Sequence, residues 1–166
     1  GHSGLHKMGD AIKVLRPHLL FLQELRGPHP GVPDFRRGLG LEYESYGRNF
    51  VGKNTDHGNA IYSSYPIEPL VNHDISIRRF EKRGLLSAKC QVGPDPEQSL
   101  FLFCTHLDLG ETSRAQQLAL IVQQIEASLP NSHTPFVLAG DFNDWNLRGD
   151  AYLRDRLGVR EAHHDV

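Results

Sequence analysis

Cysteine, methionine and tryptophan are scarce in this chain: two, one and one among 166 residues. Cys90 and Cys104 form no Cys-x-x-Cys unit, which removes the usual thiolate metal and redox motifs. Both fall in expected strands. Buried free thiols in a reducing, cytoplasmic compartment are therefore expected, with a strained cross-strand disulfide as the alternative. No apolar run approaches the roughly 20 residues of a membrane span, and no stretch reads as a signal or transit peptide. A formal charge of −2 excludes a surface that is polyanion-binding as a whole. The histidines lack metal spacing: His163 and His164 are adjacent, and nothing resembles His-Glu-x-x-His. Repeats, low-complexity tracts and linkers are absent. What remains is 39% apolar and 23% charged, the composition of one soluble domain with a real core.

Patterning divides that domain into alternating elements. Lys7 to Arg16 places Met8, Ala11, Ile12 and Leu15 on one helical face, and Pro17 stops it. Leu19 to Leu22 is continuously apolar, as suits a strand buried on both faces. Gly27 to Pro33 carries three prolines and two glycines and reads as loop. Tyr43–Phe50, Asn59–Ser63, Leu70–Ile77 and Leu85–Val92 read as strands, with a polar loop at Gly52 to Gly58, a turn at Tyr65-Pro66 and a charged loop at Arg78 to Gly84. Gly93-Pro94-Asp95-Pro96 joins Leu85–Val92 to Leu100–Cys104 as an antiparallel hairpin. Next comes a helix with an expected capping box, Ser113 and Gln116, and an apolar stripe of Ala115, Leu118, Ala119, Val122, Ile125 and Leu129, closed by Pro130. Pro135–Ala139 is a strand and Asp150 to Leu157 a short helix. Interleaved helices and hairpins indicate an α/β or α+β layered domain.

Three apolar strands run into polar groups. Leu19–Leu22 leads to Gln23-Glu24, Leu100–Cys104 to Thr105-His106-Leu107, and Pro135–Ala139 to Gly140-Asp141-Phe142-Asn143. One site at one sheet edge would hold the Glu, His, Asp and Asn that metal-assisted phosphate-ester hydrolysis needs. Glu24 after a buried run is costly unless paired or metal-bound; its alternative is a helix N-cap or a salt bridge. His106 reads as a donor to phosphate oxygens, or as a satisfied half-buried histidine. Asp141 and Asn143 share a side if the strand continues through them, or form an Asx-turn. Arg78, Arg79, Lys82 and Arg83 put four cations in six residues, a phosphate-facing loop or a solvated turn. Asn59, in His57-Gly58-Asn59, enters a strand from a turn and is also a candidate for orienting the site, at the substrate phosphate.

Phe21-Leu22-Gln23-Glu24, Gly58 to Ile67, Thr105-His106-Leu107 and Gly140-Asp141-Phe142-Asn143, in that order over nearly the whole chain, resemble the endonuclease/exonuclease/phosphatase, or DNase I-like, superfamily. Within it, Arg79 to Leu86 and Gly140 to Trp145 resemble the bacterial YbhP-like group. The resemblance implies a four-layer α/β/β/α sandwich with the site at one end of two packed sheets. It implies Mg²⁺ or Mn²⁺ at Glu24, His106 on the scissile phosphate, Asp141 orienting or activating the attacking water, Asn143 supporting that geometry, and Arg83 as a phosphate-side cation. The family's first strand, with its metal-binding Asn, and its terminal Ser-Asp-His motif have no counterpart here. The expectation is therefore a single domain over 1–166, truncated at both ends and with little turnover by itself. Nuclease, phospholipid and sugar-phosphate hydrolase readings stay open, as does a non-catalytic remnant of the fold; no obligate protein partner is expected.

Overall fold

The computed structural model describes residues 2–27, 32–53, 56–146 and 148–162. Along the chain run α1 (His2–Leu15), β1 (Leu19–Gly27), α2 (Val32–Gly38), β2 (Tyr43–Val51), β3 (Asp56–Ser63), β4 (Ile67–Asp74), β5 (Gly84–Gln91), β6 (Ser99–His106), α3 (Glu111–Ser128), β7 (Phe136–Asp141) and α4 (Arg148–Leu157). One sheet has the order β1-β3-β2 and the other β4-β5-β6-β7. All pairings are antiparallel except β6 with β7, the two strands joined through α3.

Period-two alternation sorts the side chains into layers. Ile61 of β3, Leu86, Ala88 and Cys90 of β5, and Leu102 and Cys104 of β6 meet between the sheets. Their sequence neighbours point outward. Leu85, Phe101 and Phe103 pack with Leu118, Ile121, Val122 and Ile125 of α3 and Leu153 of α4. On the other side, Ala60 and Tyr62 pack with Leu41, next to α2, whose Arg36 guanidinium lies 5.9 Å from the Tyr62 ring centroid. Phe35 of α2 in turn lies against Gly9 of α1. The expected α/β/β/α sandwich is thus the observed one. The central strands β3, β5 and β6 are buried almost throughout because both of their faces are covered.

Local differences have local causes. Leu19–Leu22 is only half-buried, because β1 is paired on one side alone among the described residues. β4 begins three residues before the expected Leu70, taking in Pro69, which an edge strand tolerates. Within the expected Gly27–Pro33 loop, residues 28–31 lie outside the described set, while Val32 and Pro33 open the unforeseen α2. His163 and His164 also lie outside it. In α1 the expected face is covered only in part: Ile12 is half-buried, Ala11 and Leu15 are exposed, and the burial of Met8 lies outside what is described. No capping box forms on α3. Its N-cap is Gly110, without a side-chain cap, and Ser113 is already inside the helix. The buried face is also rotated, since Arg114 and Gln117 are buried in place of Ala115 and Ala119.

β7 approaches β6 through a glycine. Gly140 has φ 154°, and a Cβ there would stand 2.0 Å from the Thr105 carbonyl oxygen. Gly140→Ala should therefore cost on the order of 3 kcal/mol in chemical denaturation, the upper end of overpacking penalties. Gly38→Ala, in a helix with nothing within 4 Å of the new methyl, should be neutral or stabilising by up to about 1 kcal/mol.

Candidate active site

Glu24 does not lie at the end of β1 but at a bulge within it. Leu22 pairs with Ala60 and Leu25 with Gly58, so Gln23 and Glu24 together face Asn59. Glu24 takes φ 54°, a left-handed conformation that costs a residue with a Cβ roughly 1–2 kcal/mol. Bulges re-aim side chains, and the Glu24 carboxylate comes within 3.6 Å of His106 Nδ1. On the other edge of the imidazole, Nε2 lies 3.8 Å from Asp141 Oδ2. The parallel register sets His106 opposite Asp141. Three strand segments drawn from both sheets thus converge on one imidazole, as the sequence led us to expect.

Asn143 joins them by a different route from the expected one. The strand stops at Asp141, and Asn143, at φ 49°, turns back. Asp141 Oδ1 accepts the Asn143 backbone N–H at 3.0 Å, so the Asx-turn forms and the site forms with it. The Asn143 amide donates to the Leu107 carbonyl at 2.8 Å, and Leu107 N–H donates to the Asp141 carbonyl at 2.9 Å. Asn143 therefore braces the turn after His106 rather than offering that hydrogen outward.

The rest of this turn is held as firmly. Asp108, fully buried, donates its backbone N–H to Gln117 Oε1 at 2.9 Å, and the Leu109 carbonyl accepts from Arg114 of α3. Asp108 Oδ1 accepts from Arg83 Nε at 3.1 Å. Of the four cations in the charged loop, Arg83 is the one that enters this cluster. Arg78 is near Glu81, and Arg79 lies over Phe80. Sequence patterning missed Asp108 and Gln117. Polar residues beside an apolar motif were the available signal, but Arg83, the ionic partner of Asp108, is distant in sequence.

Asn59 is placed elsewhere. Only 1% exposed, it donates its amide hydrogens to the carbonyls of Gly84 and Cys104, tying one sheet to the other. Both hydrogens are occupied there, so the structure does not bring its donors to a phosphate. Cys104 is a free thiol, its pKa pushed up to about 11 by burial, and it accepts from Gln23 Nε2 at 3.4 Å. Cys90 is likewise buried and free.

Burial holds the His106 pKa below its ordinary value, and the Arg83 cation acts in the same direction. Asp141, Glu24 and Asp108 oppose them. A neutral imidazole has one N–H and can satisfy only one of its two flanking carboxylates. Arg83 is paired through Nε with Asp108, and no cation is paired with Glu24 or Asp141 among the described residues apart from what His106 could carry. That charge imbalance fits a divalent ion. Mg²⁺ takes one or two carboxylates and keeps its waters, which is compatible with Glu24 as a single protein ligand. No group of three or more His, Cys, Asp or Glu poised to hold a metal exists among the described residues.

Two packed sheets flanked by helices, with His106 and Asp141 at neighbouring strand ends and Glu24 at a bulge beside them, define a DNase I-like protein. The chain belongs to the Endonuclease/Exonuclease/phosphatase family, whose pattern matches residues 3–163. It is 33% identical over 169 aligned residues to YbhP of Escherichia coli K12, covering 95% of this chain and 66% of that protein. The chain therefore spans just under two-thirds of the length of this relative. Among solved structures, the human Nocturnin catalytic domain with bound sulfate superposes with a TM-score of 0.73 at 14% identity, over 98% of this chain and 65% of that one. ANGEL2, a 2′,3′-cyclic phosphatase in complex with adenosine-2′,3′-vanadate, gives 0.62 at 20% identity, over 82% and 42%. These structural likenesses establish the shared fold.

The depressed His106 pKa has a direct readout. Protonation is resisted in the folded state, so the imidazole should remain neutral at pH 7 and titrate by NMR below the ordinary 6.5. The sign for stability follows: the unfolded chain binds the proton first, so this group's contribution begins to be lost near pH 6.5 and goes on being lost until pH has fallen through the lower folded-state value. A His106 midpoint at or above that value would contradict the assignment.

Proposed function

We propose that this domain belongs to a divalent-metal-dependent phosphoric ester hydrolase whose centre is Glu24, His106, Asp141 and Asn143, with Arg83 beside it. The observation that carries this reading is the imidazole held between two carboxylates, Glu24 at 3.6 Å and Asp141 at 3.8 Å, supplied by different sheets. Both contacts exceed hydrogen-bond length, as is common before a substrate draws catalytic groups together.

Each residue has a role consistent with its setting. Asp141 has one oxygen fixed by the Asn143 N–H and the other free to accept a proton from water, which suits it to orient the nucleophile. His106 can donate its N–H to a phosphate oxygen and stabilise charge as it develops there. Asn143 keeps the Leu107 turn, and hence His106, in place. Glu24 would be the protein ligand of Mg²⁺ or Mn²⁺, an ion that polarises the phosphoryl group and offsets its charge. The substrate would be a phosphodiester or phosphomonoester. Support at that level comes from the family and from two proteins of the same fold that hold oxyanions, Nocturnin with sulfate and ANGEL2 with a vanadate.

Metal binding and turnover can be read separately. In a Mn²⁺ titration, paramagnetic broadening should centre on residues 22–26 and 104–108 and disappear in Glu24→Gln; equal broadening in both proteins would remove Glu24 as ligand. For turnover, the polypeptide to use has the full length of the relatives and contains this chain. It should hydrolyse bis(p-nitrophenyl) phosphate or p-nitrophenyl phosphate in a Mg²⁺-dependent manner, the choice between them separating diester from monoester. Asp141→Asn or His106→Ala should cost on the order of a hundredfold or more, the usual scale for a positioned acid, base or charge-stabilising donor. Unchanged rates in both variants would place the chemistry elsewhere.

A further inference from the structure

Arg83 and Asp108 form the most deeply buried ion pair of the site. The antiparallel register places Leu85 opposite Thr105. Arg83, just before β5, and Asp108, just after β6, therefore sit at the same sheet end as His106. Asp108 is 0% exposed, a location that is costly for a carboxylate unless it is compensated. Its Oδ2 has no hydrogen-bond partner among the described residues, and Arg83 is the one cation paired with Oδ1. The pairing is one-sided. Arg83 gives Asp108 its Nε, whereas Nη1 and Nη2 have no partner among the described residues, and its side chain retains 15% exposure. An ion pair serving the fold alone would gain most from the two-bond fork that Arg and carboxylate form readily. Here the grip is at Nε, and the Asp108 backbone is itself fixed by Gln117.

Resting on the phosphoesterase reading above, we propose that Asp108 is a positioning residue. It clamps the Arg83 guanidinium at Nε and thereby presents the two Nη groups, beside His106, to an oxyanion of the substrate. A clamped guanidinium loses little rotamer freedom on binding, whereas Lys offers one mobile ammonium and cannot be held this way.

The test follows Arg83 directly, by the solvent exchange of its Nε–H in ¹⁵N-edited NMR, together with a titration of inorganic phosphate. In the wild type, the Arg83 Nε–H should be protected and should shift as phosphate binds. Asp108→Asn should release it and weaken phosphate about tenfold. Arg83→Lys should weaken phosphate by a similar factor, and the double variant should be no worse than the poorer single one, as expected for two residues acting as one unit. If Asp108→Asn fails to fold, the wild-type peak still decides: an Arg83 Nε–H exchanging as fast as a free side chain overturns the clamp. Phosphate binding that is sensitive to Arg83→Lys and indifferent to Asp108→Asn overturns the positioning role alone. A clamped Arg83 in a protein that binds no phosphate overturns the phosphoesterase reading, and the role of Asp108 with it.

Discussion

The turn from Leu107 to Leu109 is where separate parts of the molecule are tied together. Its polar groups bind β7 at the Asp141 carbonyl, the Asn143 side chain, the entrance of β5 through Arg83, and the first turns of α3 through Arg114 and Gln117. None of these partners is local, except that Arg114 and Gln117 follow within ten residues. His106 is the residue immediately before this turn, so its imidazole inherits the turn's rigidity. Directional bonds are needed here because hydrophobic packing is non-directional and fixes a strand end only loosely.

The same region stores local cost. Glu24 and Asn143 are both left-handed, Asp108 is a carboxylate out of water, and polar atoms of Asp108 and Gln117 have no hydrogen-bond partner among the described residues. A buried ion pair contributes little to net stability and often less than an apolar pair of the same size. By contrast, the buried polar side chains on the strands are mostly small hydroxyls, Ser45, Ser63, Ser87, Ser99 and Thr105, beside three apolar clusters. Stability comes from the layers, and their strand ends carry features that stability alone would not select. Such a distribution is expected where pre-organised polar groups must hold position before a substrate arrives.

How much of this was legible depended on the range of the interaction. The strands β3, β5 and β6 could be read because short runs between turn signals are a property of neighbours, and the β5–β6 hairpin because Gly93 to Pro96 is a local turn signal. The convergence of Glu24, His106 and Asp141 was readable as strand ends carrying polar groups. The Glu24 bulge was not, since a bulge exists only relative to the partner strand, here at Asn59. Asp141-Phe142-Asn143 admitted an extended or a turned reading, and the structure uses the turn to build the same cluster. The buried face of α3 was misread because Arg114 and Gln117 look like surface residues until their partners in the Leu107 turn are known. α2 was hidden by prolines and glycines whose composition signals loop, although Pro is well tolerated in a first helical turn.

The two contacts of His106 differ in kind. Asp141 and His106 belong to hydrogen-bonded neighbours in one sheet, so their separation is fixed by the β6–β7 register and by the close approach at Gly140. Glu24 and His106 belong to different sheets, whose interface is otherwise a layer of Ile, Leu, Ala and Cys that resists sliding only weakly. Asn59 and Gln23 cross that layer with directional bonds, to the Gly84 and Cys104 carbonyls and to the Cys104 sulfur. Both lie at the Glu24 bulge, Asn59 opposite it and Gln23 beside it. The carboxylate and the imidazole are thus held in register by one buried and one half-buried amide next to them. Asn59 thus bonds the two sheets to each other at the point where their contributions to the cluster meet.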